Sequence, residues 1–172
     1  MTNIVLIGFM GSGKSTIAKL LATALMIPHI DSDIYIANNA QSSISDIFAL
    51  KGEKHFRHLE SLFIESFSTK KNHIIATGGG MPIFHDVKKL GLCFYLQSDF
   101  DTIEKRIEAD NKLKGHNSRP LFQDKEKALK LYHERTNLYK NSSDYIIDAT
   151  KDMQSVVTDI ISLLPNNKAA LC

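Results

Sequence analysis

Cysteine is scarce in this sequence, with only two residues in a chain of 172. Cys93 lies inside the apolar run 92–96, and Cys172 is the last residue. Thiols in these positions indicate buried or free cysteines and exclude a disulfide framework, which favours a reducing compartment. We therefore expect a cytoplasmic protein.

Long hydrophobic runs are also absent. No stretch approaches the roughly 18 consecutive apolar residues that a membrane-spanning helix needs, so we expect no membrane association. The first apolar run leads directly into a glycine-rich loop that requires it as a strand, so we expect no removable signal peptide. The formal net charge is only +2 and no basic block occurs, which gives no reason to expect nucleic acid as a partner.

Two common kinds of catalytic centre are missing as well. The seven histidines are scattered without metal-ligand spacing, and no G-x-S-x-G nucleophile motif occurs. Hydrophobic residues make up 43% of the chain and charged residues 23%, which is ordinary for a globular protein. The length fits one domain with a core, and we assign residues 1–172 to it.

The most specific feature that is present lies at residues 8–15, which read G-F-M-G-S-G-K-S. This is the G-x-x-x-x-G-K-[ST] pattern of a phosphate loop, and it stands between an apolar run and a helical pattern, as such a loop requires. Its glycines let backbone N–H groups face phosphate oxygens. Lys14 can reach the β and γ phosphates, and the Ser15 hydroxyl can ligate Mg²⁺. The loop therefore predicts nucleotide binding with Mg²⁺.

Short apolar strands alternate with helical patterns along the rest of the chain. The strand candidates are residues 3–7, 29–30, 73–76, 92–96 and 145–147. The helical patterns include residues 43–51, 56–67, 99–109, 124–139 and 156–164, with Gly52 interrupting the helical region between the first two. This alternation predicts an α/β fold with a parallel sheet covered on both faces.

Two carboxylates follow the second strand, in the sequence Asp31-Ser32-Asp33. In extended backbone their i, i+2 spacing points both side chains the same way, at the strand end where ligands of parallel sheets bind. This favours a catalytic role for at least one carboxylate. A helix N-cap is the alternative for one of the three residues.

Two arginines have unusual positions. Arg57 lies at i, i+3 from Glu60, which indicates either a surface ion pair or a carboxylate that holds the arginine in place for an anionic ligand. Arg135 lies within the apolar stripe of its helix. It either reaches solvent at the edge of the stripe or pairs with a bound carboxylate.

Two loops are candidates for ligand contact. Residues 78–80 are three glycines at the end of a strand, which favours close approach of the backbone to a ligand over a flexible turn. Residues 110–120 are polar and irregular, and Arg119 is held there by Pro120. A loop of this length is either an active-site lid or a solvated surface loop.

Taken together and in order, these motifs resemble the shikimate kinases. That family carries G-F-M-G-x-G-K-[ST], D-x-D, F-R-x-x-E, G-G-G, R-P-L and R-x-x-x-Y. They stand here at residues 8–15, 31–33, 56–60, 78–80, 119–121 and 135–139, so the resemblance covers essentially the whole chain. It implies the three-layer fold of the nucleoside monophosphate kinases: a five-stranded parallel sheet flanked by helices, a substrate-binding segment at about 31–60 and a mobile lid at about 110–122.

The resemblance implies transfer of the ATP γ-phosphoryl group to the 3-hydroxyl of shikimate, in aromatic amino acid biosynthesis, by a monomer. Arg57 and Arg135 would clamp the substrate carboxylate, and Asp33 would bind the hydroxyls and accept the proton. The remaining implied contacts fall into three groups. Gly79, Gly80, Phe48 and Phe56 would contact substrate; Gly11, Ser12, Gly13, Lys14, Ser15, Thr16 and Arg119 would bind ATP; and Ser15 with Asp31 would hold Mg²⁺. Lys14 and Arg119 would also act in catalysis, and Arg119 would close over the transferring phosphoryl group.

One departure from the family pattern concerns adenine. Many members carry an arginine just before the lid that stacks on the base, whereas here no arginine lies between Arg106 and Arg119. Arg106 and Lys112 are the candidates to replace it. The alternative enzymes are a gluconate kinase or a nucleoside monophosphate kinase of the same fold. A GTPase switch would need an N-K-x-D motif after a strand, and the nearest string, Asn111-Lys112-Leu113-Lys114, lacks the aspartate.

Overall fold

The centre of the fold is a five-stranded parallel sheet, seen in a computed structural model that describes residues 1–114, 122 and 124–165. The strands are β1 (Ile4–Ile7), β2 (His29–Asp31), β3 (Ile74–Ala76), β4 (Leu92–Gln97) and β5 (Tyr145–Asp148). Their order in the sheet is β2-β3-β1-β4-β5, and every neighbouring pair is parallel. All five predicted strands are confirmed, with bounds that differ by one residue at most at either end.

Helices cover both faces of this sheet. They are α1 (Lys14–Leu25), α2 (Ser32–Ala40), α3 (Ile44–Ser68), α4 (Met81–Phe84), α5 (Phe100–Lys114), α6 (Lys125–Asn141) and α7 (Met153–Ser162). A short 3₁₀ helix, Val87–Lys89, precedes β4. Ser43, Asp124 and Asp152 each accept a backbone N–H bond at a helix start, as N-cap side chains do.

The central strand β1 divides the core into two halves. Ile4 and Leu6 belong to the hydrophobic cluster under α1 and α7, whereas Val5 and Ile7 belong to the cluster under α3. All four residues of β1 are fully buried. A strand covered on both faces has no solvent side, and this is why its sequence is apolar throughout and not alternating.

Gly52 breaks α3 as the sequence predicted. Its φ of 79° and ψ of 169° lie outside the helical range, so α3 consists of two helical parts that meet at this residue. The first part carries Phe48 and the second carries Phe56, and their rings lie 4.8 Å apart between centroids. The break therefore folds the two parts against each other at an aromatic contact.

Two predictions about local structure were wrong. The extended backbone expected over residues 31–33 ends at Asp31, the last residue of β2, because Asp31 also caps α2 and Ser32 begins that helix. Helix α5 runs to Lys114, so the first residues assigned to an irregular loop, 110–114, are helical. In the described part of the chain, no helix is both long enough and apolar enough to cross a bilayer.

Candidate active site

The phosphate loop connects β1 to α1 at the carboxyl edge of the sheet. Gly11 and Gly13 have φ values of 80° and 95°, a region that side chains with a Cβ rarely adopt. Lys14 is buried, and its Nζ donates to the carbonyl oxygens of Gly8 at 2.8 Å and Phe9 at 2.9 Å. The lysine ammonium is thus held over the loop, beside the positive end of α1.

Ser15 and Asp31 meet at the mouth of this loop. The Ser15 hydroxyl donates to Asp31 Oδ2 at 2.6 Å, and Asp31 Oδ1 accepts from the backbone N–H groups of Asp33 and Ile34. Asp31 is therefore a helix N-cap, as the alternative interpretation of this segment expected, and its other oxygen contacts Ser15, the residue with which it is predicted to hold Mg²⁺. Within residues 1–114, 122 and 124–165, no cluster of three His, Cys, Asp or Glu side chains has the arrangement of a metal site.

Asp33 lies in the first turn of α2, against the first of the three glycines. A Cβ at Gly78 would overlap the Asp33 carboxylate, so any side chain at this position would displace Asp33 from the glycine segment. Ser32 is fully buried, and its hydroxyl accepts from the Gly78 N–H at 2.8 Å. The start of α2 is thereby fixed against the loop that follows β3.

Arg57 forms two ion pairs on α3 with different surroundings. Its Nη1 lies 2.9 Å from Glu60 Oε2, and its Nη2 lies 2.8 Å from Glu53 Oε1. The Glu60 side chain is 1% exposed and the Glu53 side chain 56% exposed. Because Glu60 is buried, the interpretation of a surface pair is wrong for Arg57 and Glu60. A Cβ at Gly80 would lie 2.8 Å from Arg57 Nη1, so this arginine faces the third glycine.

Three aromatic rings surround the Arg57 guanidinium. The Cζ atom lies 5.9 Å from the Phe48 ring centroid, 5.3 Å from that of Phe56 and 4.0 Å from that of Phe84. Phe48 and Phe56 were predicted to line the pocket, and both lie beside Arg57. Phe84 was missed, because nothing in its sequence context distinguishes it from an ordinary apolar residue of a short helix.

Arg135 and Tyr139 approach the second glycine from α6. Tyr139 donates its hydroxyl to the Gly79 carbonyl oxygen at 2.7 Å, and Arg135 Nη1 lies 3.5 Å from the same oxygen. Burial raises the pKa of Tyr139 to about 12, so its hydroxyl remains a donor at neutral pH. The Arg–Tyr pair at i, i+4 was visible in the sequence, but Tyr139 had no predicted role.

Three consecutive glycines thus bring together three distant side chains. Asp33 lies at Gly78, Arg135 at Gly79 and Arg57 at Gly80. Gly79 also lies beside the phosphate loop, since a Cβ there would be 3.6 Å from the Gly8 carbonyl oxygen. An acid and two arginines therefore surround one short segment next to the predicted nucleotide site.

The two candidates for adenine contact differ in position. Arg106 donates to the Ala149 carbonyl oxygen at 2.7 Å and lies 3.5 Å from the Ser12 carbonyl oxygen, so it stands beside the phosphate loop. Lys112 is exposed on α5. Arg119, predicted to act in catalysis and in ATP binding, lies outside the described residues, as does most of the predicted lid.

Comparison with known proteins finds relatives along nearly the whole chain. The family model described as "Shikimate kinase" matches residues 10–165. A shikimate kinase of Helicobacter hepaticus is 44% identical over 165 residues, which cover 95% of this chain and 96% of that protein. The crystal structure of an Acinetobacter baumannii shikimate kinase in complex with shikimate is 29% identical, has a TM-score of 0.83, and covers 98% of this chain and 95% of that one.

A more distant structure bears on the alternative enzymes. A gluconokinase from Sinorhizobium meliloti 1021 has a TM-score of 0.56 at 14% identity, over 94% of this chain and 90% of that one. A likeness at this identity concerns the fold alone. Since the family model spans most of the sequence, as do close relatives of the same description, this chain belongs to the shikimate kinase family.

Proposed function

We propose that this protein transfers the γ-phosphoryl group of ATP to the 3-hydroxyl of shikimate, with the predicted site residues in the roles given below. The observation that supports these roles best is the convergence of Arg57 and Arg135 on neighbouring glycines beside the phosphate loop. The arginines come from different helices, α3 and α6, and both are partly buried where they approach the glycines.

The two arginines are proposed to bind the substrate carboxylate. A hydrogen bond to a charged group contributes about 1.5–3 kcal/mol, and guanidinium groups also fix the orientation of a planar carboxylate. Glu53 is exposed and bonds to Arg57 Nε and Nη2, so a substrate carboxylate can replace it at low cost. Glu60 is buried and stays in place, bonded to Arg57 Nη1.

The acid and the glycine segment are proposed to orient the substrate hydroxyls. Asp33 lies at Gly78, in the same glycine segment that both arginines approach, where it is proposed to bind hydroxyls and accept the proton of the attacking one. Gly79 and Gly80 are proposed to contact the substrate through their backbone, and Phe48 with Phe56, whose rings lie 4.8 Å apart, to form an apolar wall. Phosphoryl transfer depends mainly on such positioning and on neutralising charge.

The phosphate loop, residues 11–16 above all, is proposed to bind ATP. Lys14 bonds to loop carbonyls, and its ammonium is close to where the β and γ phosphates would lie. Ser12 Oγ is buried and has no hydrogen-bond partner in the described part of the chain, which suits a hydroxyl that meets a phosphate. Arg119 is proposed to close over the transferring group from a lid at 110–122.

The donor set near the loop fits Mg²⁺. Ser15 and Asp31 place a hydroxyl and a carboxylate oxygen 2.6 Å apart, and Mg²⁺ prefers oxygen ligands while keeping several waters. When bound, Mg²⁺ neutralises charge on the transferring phosphates. Ser15 would bind it directly and Asp31 through water. We further propose a cytoplasmic, monomeric enzyme, with 31–60 as the substrate-binding segment of a single domain.

A coupled ADP-release assay tests the proposal. The purified protein is incubated with ATP and Mg²⁺, and shikimate, gluconate, AMP and CMP are supplied one at a time. We expect turnover with shikimate alone, and loss of that turnover when EDTA exceeds the metal. Turnover of AMP, CMP or gluconate without turnover of shikimate would contradict the assignment, and full activity in EDTA would contradict the metal site.

A further inference from the structure

The Arg57–Glu60 pair has a second layer of contacts from the end of α4. Phe84 is the last residue of α4 and His85 is its C-cap, so the two side chains follow the three glycines at a short distance along the chain. Neither residue belongs to the motifs from which the site was predicted. Both nevertheless touch the pair that holds the proposed substrate carboxylate.

His85 bonds to the buried carboxylate. Its Nε2 lies 3.0 Å from Glu60 Oε2, the oxygen that also accepts from Arg57 Nη1 at 2.9 Å. Since a carboxylate oxygen accepts, His85 Nε2 carries a hydrogen and donates. Glu60 Oε1 is buried and has no hydrogen-bond partner among the residues that the structure describes. The charge of Glu60 is therefore satisfied at one oxygen, by Arg57 and His85 together.

Phe84 covers the guanidinium. Its ring centroid lies 4.0 Å from Arg57 Cζ, the shortest of the three ring distances to that atom. A cation over an aromatic face is attracted by the ring quadrupole, more strongly where water is excluded. The ring also limits the planes that the Arg57 fork can adopt, because one face of the guanidinium is occupied. Phe84 itself is 51% exposed, so the contact is not part of a closed core.

We infer that Phe84 and His85 are positioning residues for carboxylate recognition. His85 fixes Glu60, Glu60 fixes Arg57 Nη1, and Phe84 fixes the plane of the guanidinium, which leaves the fork turned toward the site of the substrate carboxylate. This inference rests on the substrate role proposed for Arg57. The inference gives the end of α4 a role in substrate selection. Phe84 and His85 would determine how strongly the site prefers an acid to a neutral analogue.

Variants at Phe84 test the contribution of the ring. Phe84→Ala should raise the KM for shikimate about 3- to 30-fold, while kcat and the KM for ATP change less than about twofold. Phe84→Leu keeps an apolar side chain over the guanidinium but lacks the ring quadrupole, so its KM for shikimate should lie between those of Phe84→Ala and the wild type. Phe84→Tyr keeps the ring and should have the wild-type KM. Leu62→Ala, which truncates a 46% exposed apolar side chain on α3, is the matched control and should leave all constants unchanged.

Variants at His85 test the donor. His85→Leu removes the hydrogen bond and should raise the KM for shikimate on the order of tenfold, since a buried charged acceptor loses a donor. His85→Gln places an amide N–H near the position of Nε2 and should restore most of the affinity. Both Phe84 and His85 line an open cavity of about 440 Å³, so these replacements do not require repacking of a closed interior.

A neutral substrate analogue separates positioning from structural damage. Shikimate methyl ester lacks the charged carboxylate, so Phe84→Ala and His85→Leu should change its kcat/KM, or its Ki as a competitive inhibitor where turnover is slow, less than about twofold. Equal losses with acid and ester would overturn the inference, and so would a normal KM for the acid in both variants. If Arg57→Ala is impaired toward shikimate while these variants are normal, only this inference fails. If Arg57→Ala is also normal, the proposed site fails with it.

Discussion

Arg57 is held by one buried partner and one exposed partner, and this difference determines how it can bind a ligand. The bond to Glu60 lies in the interior, where breaking it is costly because it would leave a buried charge without its partner. The bond to Glu53 lies at the surface, where ion pairs contribute little. An incoming carboxylate can therefore exchange with Glu53 while Glu60 keeps the guanidinium in its place.

The first prediction concerns the loss of this guanidinium. Arg57→Ala should lower kcat/KM for shikimate by roughly 30- to 1000-fold, because about 2–4 kcal/mol of charge-assisted hydrogen bonding disappears. Steady-state kinetics with varied shikimate measure the effect. Lys54→Ala, which removes an exposed cation from the same helix, is the control and should behave as wild type. Wild-type kinetics of Arg57→Ala would remove the arginine from the proposed site.

The second prediction concerns the hydroxyl of Tyr139, which orients the Gly79 carbonyl group. Tyr139→Phe leaves that buried oxygen with only the 3.5 Å contact to Arg135, so the free energy of unfolding should fall by about 1–2 kcal/mol. The KM for shikimate should rise about 3- to 10-fold, because the Gly79–Gly80 peptide loses its fixed orientation.

A matched control exists on the same helix. Tyr132 donates its hydroxyl to the Ser98 carbonyl oxygen at 2.9 Å, which is the same kind of bond away from the three glycines. Tyr132→Phe should lower stability without raising the KM for shikimate. Denaturant unfolding and kinetics on both variants make the comparison. An equal rise of KM in the two variants would show that general softening, and not the Gly79 bond, was responsible.

At the scale of elements, the glycine break in α3 is what folds Phe48 onto Phe56. Gly52 has φ 79° and ψ 169°, a region that residues with a Cβ enter only under strain, although a Cβ there would meet no atom within 4 Å. Gly52→Ala should therefore lower the free energy of unfolding by about 1–3 kcal/mol, through backbone strain alone.

The same substitution should also act on the site. Relief of the strain requires the first part of α3 to turn, which moves Phe48 and should raise the KM for shikimate more than the KM for ATP. Lys51→Ala, at the neighbouring exposed position, should change stability by less than about 0.5 kcal/mol. Unfolding curves and kinetics are measured on both variants. An unchanged stability in Gly52→Ala would mean that the break is not imposed by this residue.

The elements that the sequence predicted well are those whose pattern and surroundings agree. The three central strands β1, β3 and β4 are short apolar runs that are buried over most or all of their length, so burial and composition point to the same element. The extended backbone expected through Asp33 was wrong, because α2 begins at Ser32. The N-cap bond of Asp31 ends the strand there instead, and capping is a local interaction that spacing alone cannot distinguish from a strand end.

Helix α5 was predicted too short for a different reason. Residues 110–114 contain one apolar side chain, Leu113, which is 88% exposed, so no apolar period marks them as helical. The site shows the same limit. Arg57, Arg135 and Asp33 could be named from motifs. Their contacts with three successive glycines could not, because those contacts form only when the chain folds. Phe84 and His85 could not be found at all, since no pattern connects them to α3.

At the scale of the whole molecule, the sheet buries two tyrosines that face each other near its carboxyl edge. Tyr95 on β4 and Tyr139 on α6 are each 1% exposed, and their rings lie 5.3 Å apart between centroids. Burial raises the pKa of both phenols to about 12, above the value of about 10 expected in an unfolded chain. The folded state therefore binds these protons more tightly than the unfolded state does.

The sign of the resulting pH dependence follows from this difference. Below about pH 10 both states are protonated and the stability is fully present, whereas between about pH 10 and 12 only the unfolded state ionises, so the free energy of unfolding falls as the pH rises. The loss should approach roughly 2–3 kcal/mol for each tyrosine. Urea unfolding at pH 8, 10, 11 and 12 measures it, and Tyr139→Phe provides the comparison. Lysines titrate in both proteins alike, whereas only the wild type ionises at position 139, so its advantage of about 1–2 kcal/mol at pH 8 should disappear by about pH 12, and Tyr139→Phe should then be the more stable protein. A gap that stays constant would mean that Tyr139 ionises as readily in the fold as outside it.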